Sequence, residues 1–333
     1  MPLSKHQLKF SFKHIFALLG LVGLIVVLLL SRHEFTSFWH LLGGLRWYVL
    51  AGVVVIQLAS YWINGLYYRS ILRVFSCDLS TKRLFEGALA TNFVNYVLPS
   101  VGLAGAGYLS QVLAPEVPRG ESFLTQIMRY AFSALAVLVM LPVGFLFIVL
   151  SGESGHVIVK ITLASIVGII IFAGCILLLV QSEATLRRFC AWLVKTLKKI
   201  RPQFDSEQKF NHFIDEFYVG YRAMVRQKRK LSVPFFWSII YILIEILTFY
   251  MAFLAFGKVE AIGIVIMAYL FANIASIFGG VFFSTGIFEL GMAGTLVALG
   301  TPFVLAVSVT TVYRVLNLLI GLPPGYYFYR KYL

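Results

Sequence analysis

Runs of apolar residues long enough to cross a lipid bilayer recur along the whole chain. A helix that spans about 30 Å of hydrocarbon needs about 20 residues, and six runs approach or exceed this length. They predict membrane-spanning helices over 15–30, 46–66, 123–150, 157–180, 233–256 and 303–326. The pattern is typical of an all-α polytopic membrane protein.

Two further apolar regions, 85–112 and 262–300, are interrupted near their middles by Gly, Pro and Ser. Backbone that is broken at membrane depth is tolerated only where protein or a polar cavity covers it. We therefore expect six full spans plus two re-entrant helical hairpins, with eight or more simple spans as the alternative. The residues of the breaks are Pro99, Ser100, Gly102, Gly105, Gly107, Gly279, Gly280, Ser284 and Gly286.

A shift of 184 residues aligns the two interrupted regions. It places Ser100 on Ser284, Gly102 on Gly286, Gly107 on Gly291 and Pro118 on Pro302, and Arg129-Tyr130 on Tyr313-Arg314. We interpret residues 1–333 as a single integral membrane domain with one repeat over about 12–150 and a second over about 157–328. Repeats of inverted topology place a substrate site near the midplane, where broken helices meet.

Composition and charge agree with this reading. The chain is 60% hydrophobic and 13% charged, which leaves no region of domain size that resembles a soluble protein. Its net charge is +14, and the basic residues concentrate at the termini and in 67–84 and 181–232. Such segments face the cytoplasm, so both termini should lie there and 151–156 and 257–261 outside, in a prokaryotic plasma membrane.

The same charge pattern bears on partners. Basic loops next to membrane spans meet anionic lipid headgroups, and this explains the charge without a nucleic acid. The segment 183–232 is the one substantial polar insertion, and its helical spacing of apolar and basic residues predicts a helix in the cytoplasmic interface. Nothing in the sequence indicates an oligomeric state.

Ionisable residues within apolar runs cost several kcal/mol unless they are paired or hydrated. Four stand out: Arg129, Glu245, Glu289 and Arg314. One interpretation is a set of buried Arg–Glu pairs that only fix helix packing. The other is a polar cavity in which the two guanidinium groups bind a phosphate and the carboxylates balance the charge. We add the neighbouring Tyr130 and Tyr313 to this substrate-binding set, and the Gly-rich breaks would direct helix N-termini towards the cavity.

No catalytic constellation accompanies these residues. The sequence has no paired-Asp motif, no base beside Ser284 and no His or Cys grouping with metal-ligand spacing. We therefore expect neither an enzyme nor a metal or other cofactor.

Short motifs resemble a known family. They are Leu98 to Gly102, the Arg129 that opens a long span, Gly286 to Glu289, and Tyr313-Arg314. Over nearly the whole chain they are similar to the lysylphosphatidylglycerol synthetase transmembrane family, which includes the N-terminal flippase half of the bacterial multiple peptide resistance factor. The resemblance implies a lipid-translocating module, with Pro99, Gly102, Arg129, Gly286, Glu289 and Arg314 on motif positions.

Two departures qualify the resemblance. Family members often carry a Pro-Gly-Gly run before the Gly-x-x-Glu element. In this chain the corresponding residues, 279–285, include no proline. The soluble aminoacyl transferase domain is absent from the 333 residues, so we do not expect synthesis of lysyl-lipid.

The leading functional hypothesis is a flippase for a phosphate-bearing lipid, either a modified phospholipid or a polyprenyl phosphate. A secondary transporter for a small anionic solute is the first alternative, and a membrane-embedded, polyprenyl-phosphate-dependent glycosyltransferase is the second. The chain has no nucleotide-binding motif, so transport would be driven by an ion gradient or would be facilitated scrambling.

Overall fold

A computed structural model describes residues 43–97, 103–150, 225–279 and 284–332, together with individual residues between 167 and 222. These residues are helical and contain no strand. Several predictions lie outside the described residues. They are the span 15–30, most of 157–180 and of 183–232, the loop 151–156, and the break residues Pro99, Ser100, Gly102 and Gly280.

The described helices are α1 Trp47–Leu72, α2 Thr81–Val97, α3 Leu103–Leu113, α4 Arg119–Leu150, α5 Ser232–Ala255, α6 Ile262–Gly279, α7 Ser284–Ala298 and α8 Phe303–Lys331. A short 3₁₀ segment, Arg73–Phe75, follows α1, and another, Lys228–Leu231, precedes α5. Residues Arg46–Leu333 pack as one unit.

Four of the described helical segments are long and apolar enough to cross a membrane: Trp47–Phe75, Gly120–Leu150, Lys228–Ala255 and Phe303–Lys331. They correspond to the predicted spans 46–66, 123–150, 233–256 and 303–326. The first helix is longer than its predicted span. The prediction ended with the apolar run, at residue 66, whereas α1 continues to Leu72. Tyr67, Tyr68, Ile71 and Leu72 of these last turns are fully buried.

Each interrupted region is a pair of packed helices. α2 packs against α3, and α6 packs against α7. With 11 and 15 residues, α3 and α7 are about 16 and 22 Å long at a rise of about 1.5 Å per residue, less than the hydrocarbon thickness. The first break is shorter than predicted, because Gly105 and Gly107 lie inside α3. Gly279 ends α6, and Ser284 and Gly286 lie at the start of α7.

In both helix pairs, the end of the second helix lies beside the start of the first. Arg83, in the first turn of α2, forms an ion pair of 3.3 Å with Glu116, which follows α3. The hydroxyl of Thr301, which follows α7, donates a hydrogen bond of 3.2 Å to Glu260, which precedes α6. The two helices of each pair are therefore antiparallel.

The described helices form two sets of four, α1 to α4 and α5 to α8. In both sets the third helix is the shortest, the fourth is the longest, and the break lies between the second and the third. Each helix from α5 to α8 begins within three residues of the position that a shift of 184 residues predicts from α1 to α4. Contacts between the sets are reciprocal, because α2 packs on α8 while α4 packs on α6. α1 and α5 also pack together in opposite directions, since the N–H of Arg46 before α1 donates to the carbonyl of Ala255 at the end of α5 (2.8 Å).

Candidate functional site

α1 presents a polar stripe to the interior of the protein. Its members recur three or four residues apart, so they share one face of the helix. All of them are buried: Gln57, Ser60, Tyr61, Asn64, Tyr67 and Tyr68. Polar side chains in a spanning helix are stabilised by facing other helices rather than lipid. α1 therefore supplies one wall of a polar interior.

Glu245 on α5 lies at the centre of this interior and is 3% exposed. Its carboxyl group accepts hydrogen bonds from the hydroxyl of Tyr313 on α8 (2.8 Å), from Nε2 of Gln57 (3.3 Å) and from the hydroxyl of Ser60. Three neutral donors from two other helices thus hold this group, and no ion pair to it occurs within the described ranges.

Arg129 on α4 is 8% exposed. Its Nε donates a hydrogen bond of 3.0 Å to Oδ1 of Asn64. Its guanidinium carbon lies 5.6, 5.6 and 5.7 Å from the ring centroids of Tyr68, Tyr130 and Tyr241. Of the carboxylates in the described part of the chain, none forms an ion pair with it. Aromatic rings and one amide therefore surround a cation whose charge they do not neutralise.

Arg314 on α8 differs, because it has an acidic partner. Its Nε lies 2.6 Å from Oε1 of Glu289, and the two side chains are 18% and 25% exposed. The N–H of this Nε is not directed at an acceptor, so the contact is an ion pair rather than a directed hydrogen bond. The guanidinium carbon also lies 5.2 Å from the ring centroid of Tyr96 and 5.5 Å from that of Phe288.

Glu289 also caps the start of α7. Its second carboxylate oxygen accepts a hydrogen bond of 2.8 Å from the N–H of Gly286, three residues earlier. Gly286 has a φ of +102°, a conformation that side-chain-bearing residues rarely adopt. This backward bond is one half of a capping box, so one carboxylate both caps the N-terminal end of α7 and pairs with Arg314.

The start of α3 is capped from α2. Oδ1 of Asn95 accepts a hydrogen bond of 3.0 Å from the N–H of Gly105, and Nδ2 of Asn95 donates to the hydroxyl of Tyr130 (3.4 Å). A Cβ atom on Gly105 would lie 2.2 Å from Oδ1 of Asn95. The N–H of Gly105, in the Gly-rich segment that was expected to direct a helix N-terminus towards the cavity, is therefore bonded to Asn95.

The predicted site residues come together in one region. Near the end of α2, the ring of Tyr96 lies 5.2 Å from the guanidinium carbon of Arg314, and the preceding Asn95 donates a hydrogen bond to Tyr130, which is next to Arg129. Tyr313 bonds to Glu245, while the adjacent Arg314 pairs with Glu289. By contrast, a Cβ atom at Gly107 would meet nothing within 4 Å, so this glycine is not required by close packing.

Several residues of the site were not singled out from the sequence. Asn317 accepts a hydrogen bond of 2.8 Å from Gln57, and its carbonyl accepts one of 3.2 Å from Tyr61. Asn64, Tyr96 and Tyr241 are the others. Most of them could have been identified from the sequence as polar residues that recur at helical spacing within an apolar run, as in the stripe of α1. Within the described part of the chain, no three His, Cys, Asp or Glu side chains lie close enough to hold a metal ion.

Comparison with known proteins gives a consistent result. A UPF0104 membrane protein of Pyrococcus horikoshii is 22% identical over 318 residues, which is 92% of each chain. A UPF0104 membrane protein of Methanothermobacter thermautotrophicus is 30% identical over 118 residues, 34% of this chain and 35% of the relative, so that alignment spans about a third of the relative's length. No solved structure matches. The sequence model of the family described as lysylphosphatidylglycerol synthase TM region matches residues 15–325, and the chain belongs to this membrane protein family.

Proposed function

We propose that this protein is a flippase that moves a phosphate-bearing lipid between the two leaflets of a prokaryotic plasma membrane. The observation that carries the proposal is the buried guanidinium of Arg129, which aromatic rings and an amide surround without an acidic partner in the described residues. Membership of the family supports the coarser statement of a membrane protein of flippase type.

A buried, unneutralised cation in a membrane protein favours an anionic guest. The planar fork of arginine matches two phosphate oxygens at once, and the bond is charge-assisted. Tyr130 and Tyr96, which flank Arg129 and Arg314, are 40% and 38% exposed. These two rings line the side from which a headgroup reaches the arginines.

Arg314 provides the second guanidinium of the proposed site. Glu289 neutralises it across 2.6 Å. A phosphate that displaces this carboxylate keeps Arg314 neutralised and frees Glu289, which still caps α7 through Gly286. Glu245 keeps its hydrogen bonds to three uncharged donors. It is the buried group best placed to carry a proton if transport is coupled to a gradient.

The architecture that we infer around this site is a pair of inverted-topology repeats with re-entrant hairpins α2–α3 and α6–α7. The short second helices, the return of each pair to its starting level and the 184-residue shift support it. The antiparallel course of α1 and α5 supports the inversion. In this arrangement the first turns of α3 and α7, which contain Gly105 and Gly286, lie near the midplane.

The same arrangement places the basic ends of the helices in the cytoplasm. The end of α1 meets the start of α4 through Cys77 and Glu121, and the end of α8 meets the start of α2 through Lys331 and Glu86. A cysteine at Lys258, after α5, should react with an impermeant maleimide from outside. Reaction of that residue from the cytoplasm only would overturn the proposed orientation.

The test of function uses proteoliposomes with headgroup-labelled phospholipid and follows its movement between leaflets. Arg129→Lys, Arg314→Lys and the double variant keep the charge but lose the bidentate fork, so we expect normal thermal stability and a loss of transport of at least about tenfold, the equivalent of about 1.4 kcal/mol. Arg330→Lys is the matched control, because Arg330 is an exposed arginine on the same helix as Arg314. Transport at the wild-type rate by a well-folded double variant would show that these arginines do not carry substrate. Uptake of inorganic phosphate without lipid movement would favour a small-anion transporter instead.

A further inference from the structure

A cavity of about 450 Å³ lies between the end of α1 and the start of α5. Three basic residues line it, Arg69, Arg73 and Lys230, together with a single acidic residue, Asp78. It shares no lining residue with the polar interior around Arg129 and Glu245. The lining therefore carries two positive charges in excess at neutral pH.

Asp78 holds both arginines at once. Its carboxylate accepts hydrogen bonds from Arg69 at 2.8 and 3.3 Å and from Arg73 at 3.2 and 3.2 Å. The Arg73 side chain is 56% exposed, so its guanidinium also faces the solvent. Lys230 forms no ion pair with any residue in the described part of the chain. Arg73 and Lys230 are thus the cations in this cavity that can accept a further anion.

The backbone after α1 fixes this arrangement. Ser76 has a φ of +64°, and the N–H of Cys77 donates to the carbonyl of Leu72 (3.1 Å). This is a Schellman-type helix end with a left-handed residue, here occupied by serine instead of the usual glycine. It turns the chain back over the helix, so that Asp78 lies between the two arginines.

The remaining lining is mainly apolar, with Ser70 and Ser76 as its polar members. Leu66 comes from α1, and Val233 and Trp237 come from the first turns of α5. Arg69 lies in the last turn of α1 and Lys230 lies in the 3₁₀ segment that precedes α5, so the cavity lies where two candidate spans leave the hydrocarbon. Tryptophan and basic residues are enriched at this level of a membrane. A cationic opening over an apolar floor suits an amphipathic anion.

From this geometry we infer a resident lipid site: the cavity binds the phosphate of an anionic glycerophospholipid, held by Arg73 and Lys230 with an acyl chain against Val233 and Trp237. A choline headgroup brings a positive charge to a region with an excess of cations, and so it binds less well. A free phosphate lacks the chain that contacts the apolar floor. The bound lipid joins the end of α1 to the start of α5, and it is not the transported molecule.

The test measures the thermal unfolding midpoint of the full-length, detergent-purified protein with added dioctanoyl phosphatidylglycerol. A ligand that binds only the folded state raises this midpoint. We expect a clear rise for the wild type and less than half of that rise for the Arg73→Gln, Lys230→Gln variant. The matched control is Lys228→Gln, Arg229→Gln, which removes two charges from the 3₁₀ segment that also carries Lys230, but none from the cavity lining. It should respond as the wild type does.

Each other outcome overturns the inference. If the midpoint of the Arg73→Gln, Lys230→Gln variant rises as much as that of the wild type, the lipid binds elsewhere. If the Lys228→Gln, Arg229→Gln control loses as much of the rise as the cavity variant does, the effect is general charge attraction. An equal rise with dioctanoyl phosphatidylcholine would remove headgroup selectivity, and an equal rise with inorganic phosphate at the same concentration would make the site one for free anions. If the double variant cannot be purified, Lys230→Gln against Lys228→Gln gives the same comparison without touching the Asp78 ion pairs.

Discussion

The phenol of Tyr313 donates a hydrogen bond of 2.8 Å to Oε2 of Glu245 and ties α8 to α5 in the interior of the protein. Gln57 and Ser60 of α1 donate to the other oxygen of the same carboxyl group. Three helices from both halves of the chain therefore meet at one acidic side chain.

The first prediction concerns this junction. Tyr313→Phe keeps the ring but leaves Glu245 without one donor, and we expect a loss of about 1–3 kcal/mol in the free energy of unfolding. Tyr327→Phe is the control, because Tyr327 lies on the same helix and is 66% exposed. In a double-mutant cycle, Tyr313→Phe and Glu245→Gln should be non-additive. Thermal unfolding that does not distinguish Tyr313→Phe from Tyr327→Phe would rule out this role.

The second prediction compares two glycines of α3. Ala at position 105 forces Asn95 away from the backbone N–H that it caps, and the lost cap should destabilise the protein by about 1 kcal/mol. Gly107→Ala, two residues later, meets nothing within 4 Å and should be neutral or should stabilise by up to about 1 kcal/mol. Unfolding midpoints of the two variants decide the matter, and an equal effect of both would contradict the capping role of Asn95.

The third prediction makes the same comparison in α7. Gly286→Ala places a side chain at a φ of +102°, and the backbone strain should cost about 1–3 kcal/mol. Gly294→Ala, in the same helix, meets no atom within 4 Å and should not destabilise. Because Gly286 donates to Glu289, its substitution should also reduce lipid movement in proteoliposomes. Wild-type stability of Gly286→Ala would mean that this helix start does not need a glycine.

The fourth prediction concerns Cys77, which lies in the loop after α1. Burial, followed by the charge of Glu121, raises the pKa of this thiol to about 11. A raised pKa keeps the thiol protonated at neutral pH, and only the thiolate reacts with alkylating agents. In a background without Cys175 and Cys190, its reaction with iodoacetamide should be slow at pH 7 and should still rise at pH 9.5.

Lys82→Cys, combined with Cys77→Ser, is the control for this measurement because Lys82 is exposed. Its alkylation rate should level off close to the ordinary thiol pKa of about 8.5. A plateau for Cys77 at that same pH would show that its surroundings do not shift its pKa.

The sequence predicts the four described spans well and the breaks only coarsely. Long apolar runs define spanning helices directly, because the bilayer sets their length. Gly105 lies in a Gly-rich segment, but it belongs to α3, and the partner that requires its lack of a side chain is Asn95 on another helix. A contact of this kind depends on how α2 and α3 pack, which no local pattern encodes.

The charged members of the candidate site were predictable for a similar physical reason. Arg129, Glu245, Glu289 and Arg314 stand out because ionised groups are costly in an apolar run. Which of them pair was not predictable: Arg314 meets Glu289, while Glu245 takes neutral donors. Uncharged partners such as Asn64 and Asn317 cost less in a membrane and therefore leave a weaker signal.

The reciprocal packing of α2 on α8 and of α4 on α6 sets an order of events during biosynthesis. Glu86 of α2 is 6% exposed and accepts a hydrogen bond of 2.7 Å from Lys331, which is made 245 residues later. At about 5–20 residues per second, the ribosome needs about 10–50 seconds to reach that partner. Until then the carboxylate of Glu86 lacks the cation that pairs with it in the folded protein, so this contact between the two halves is completed only after the last helix has been made.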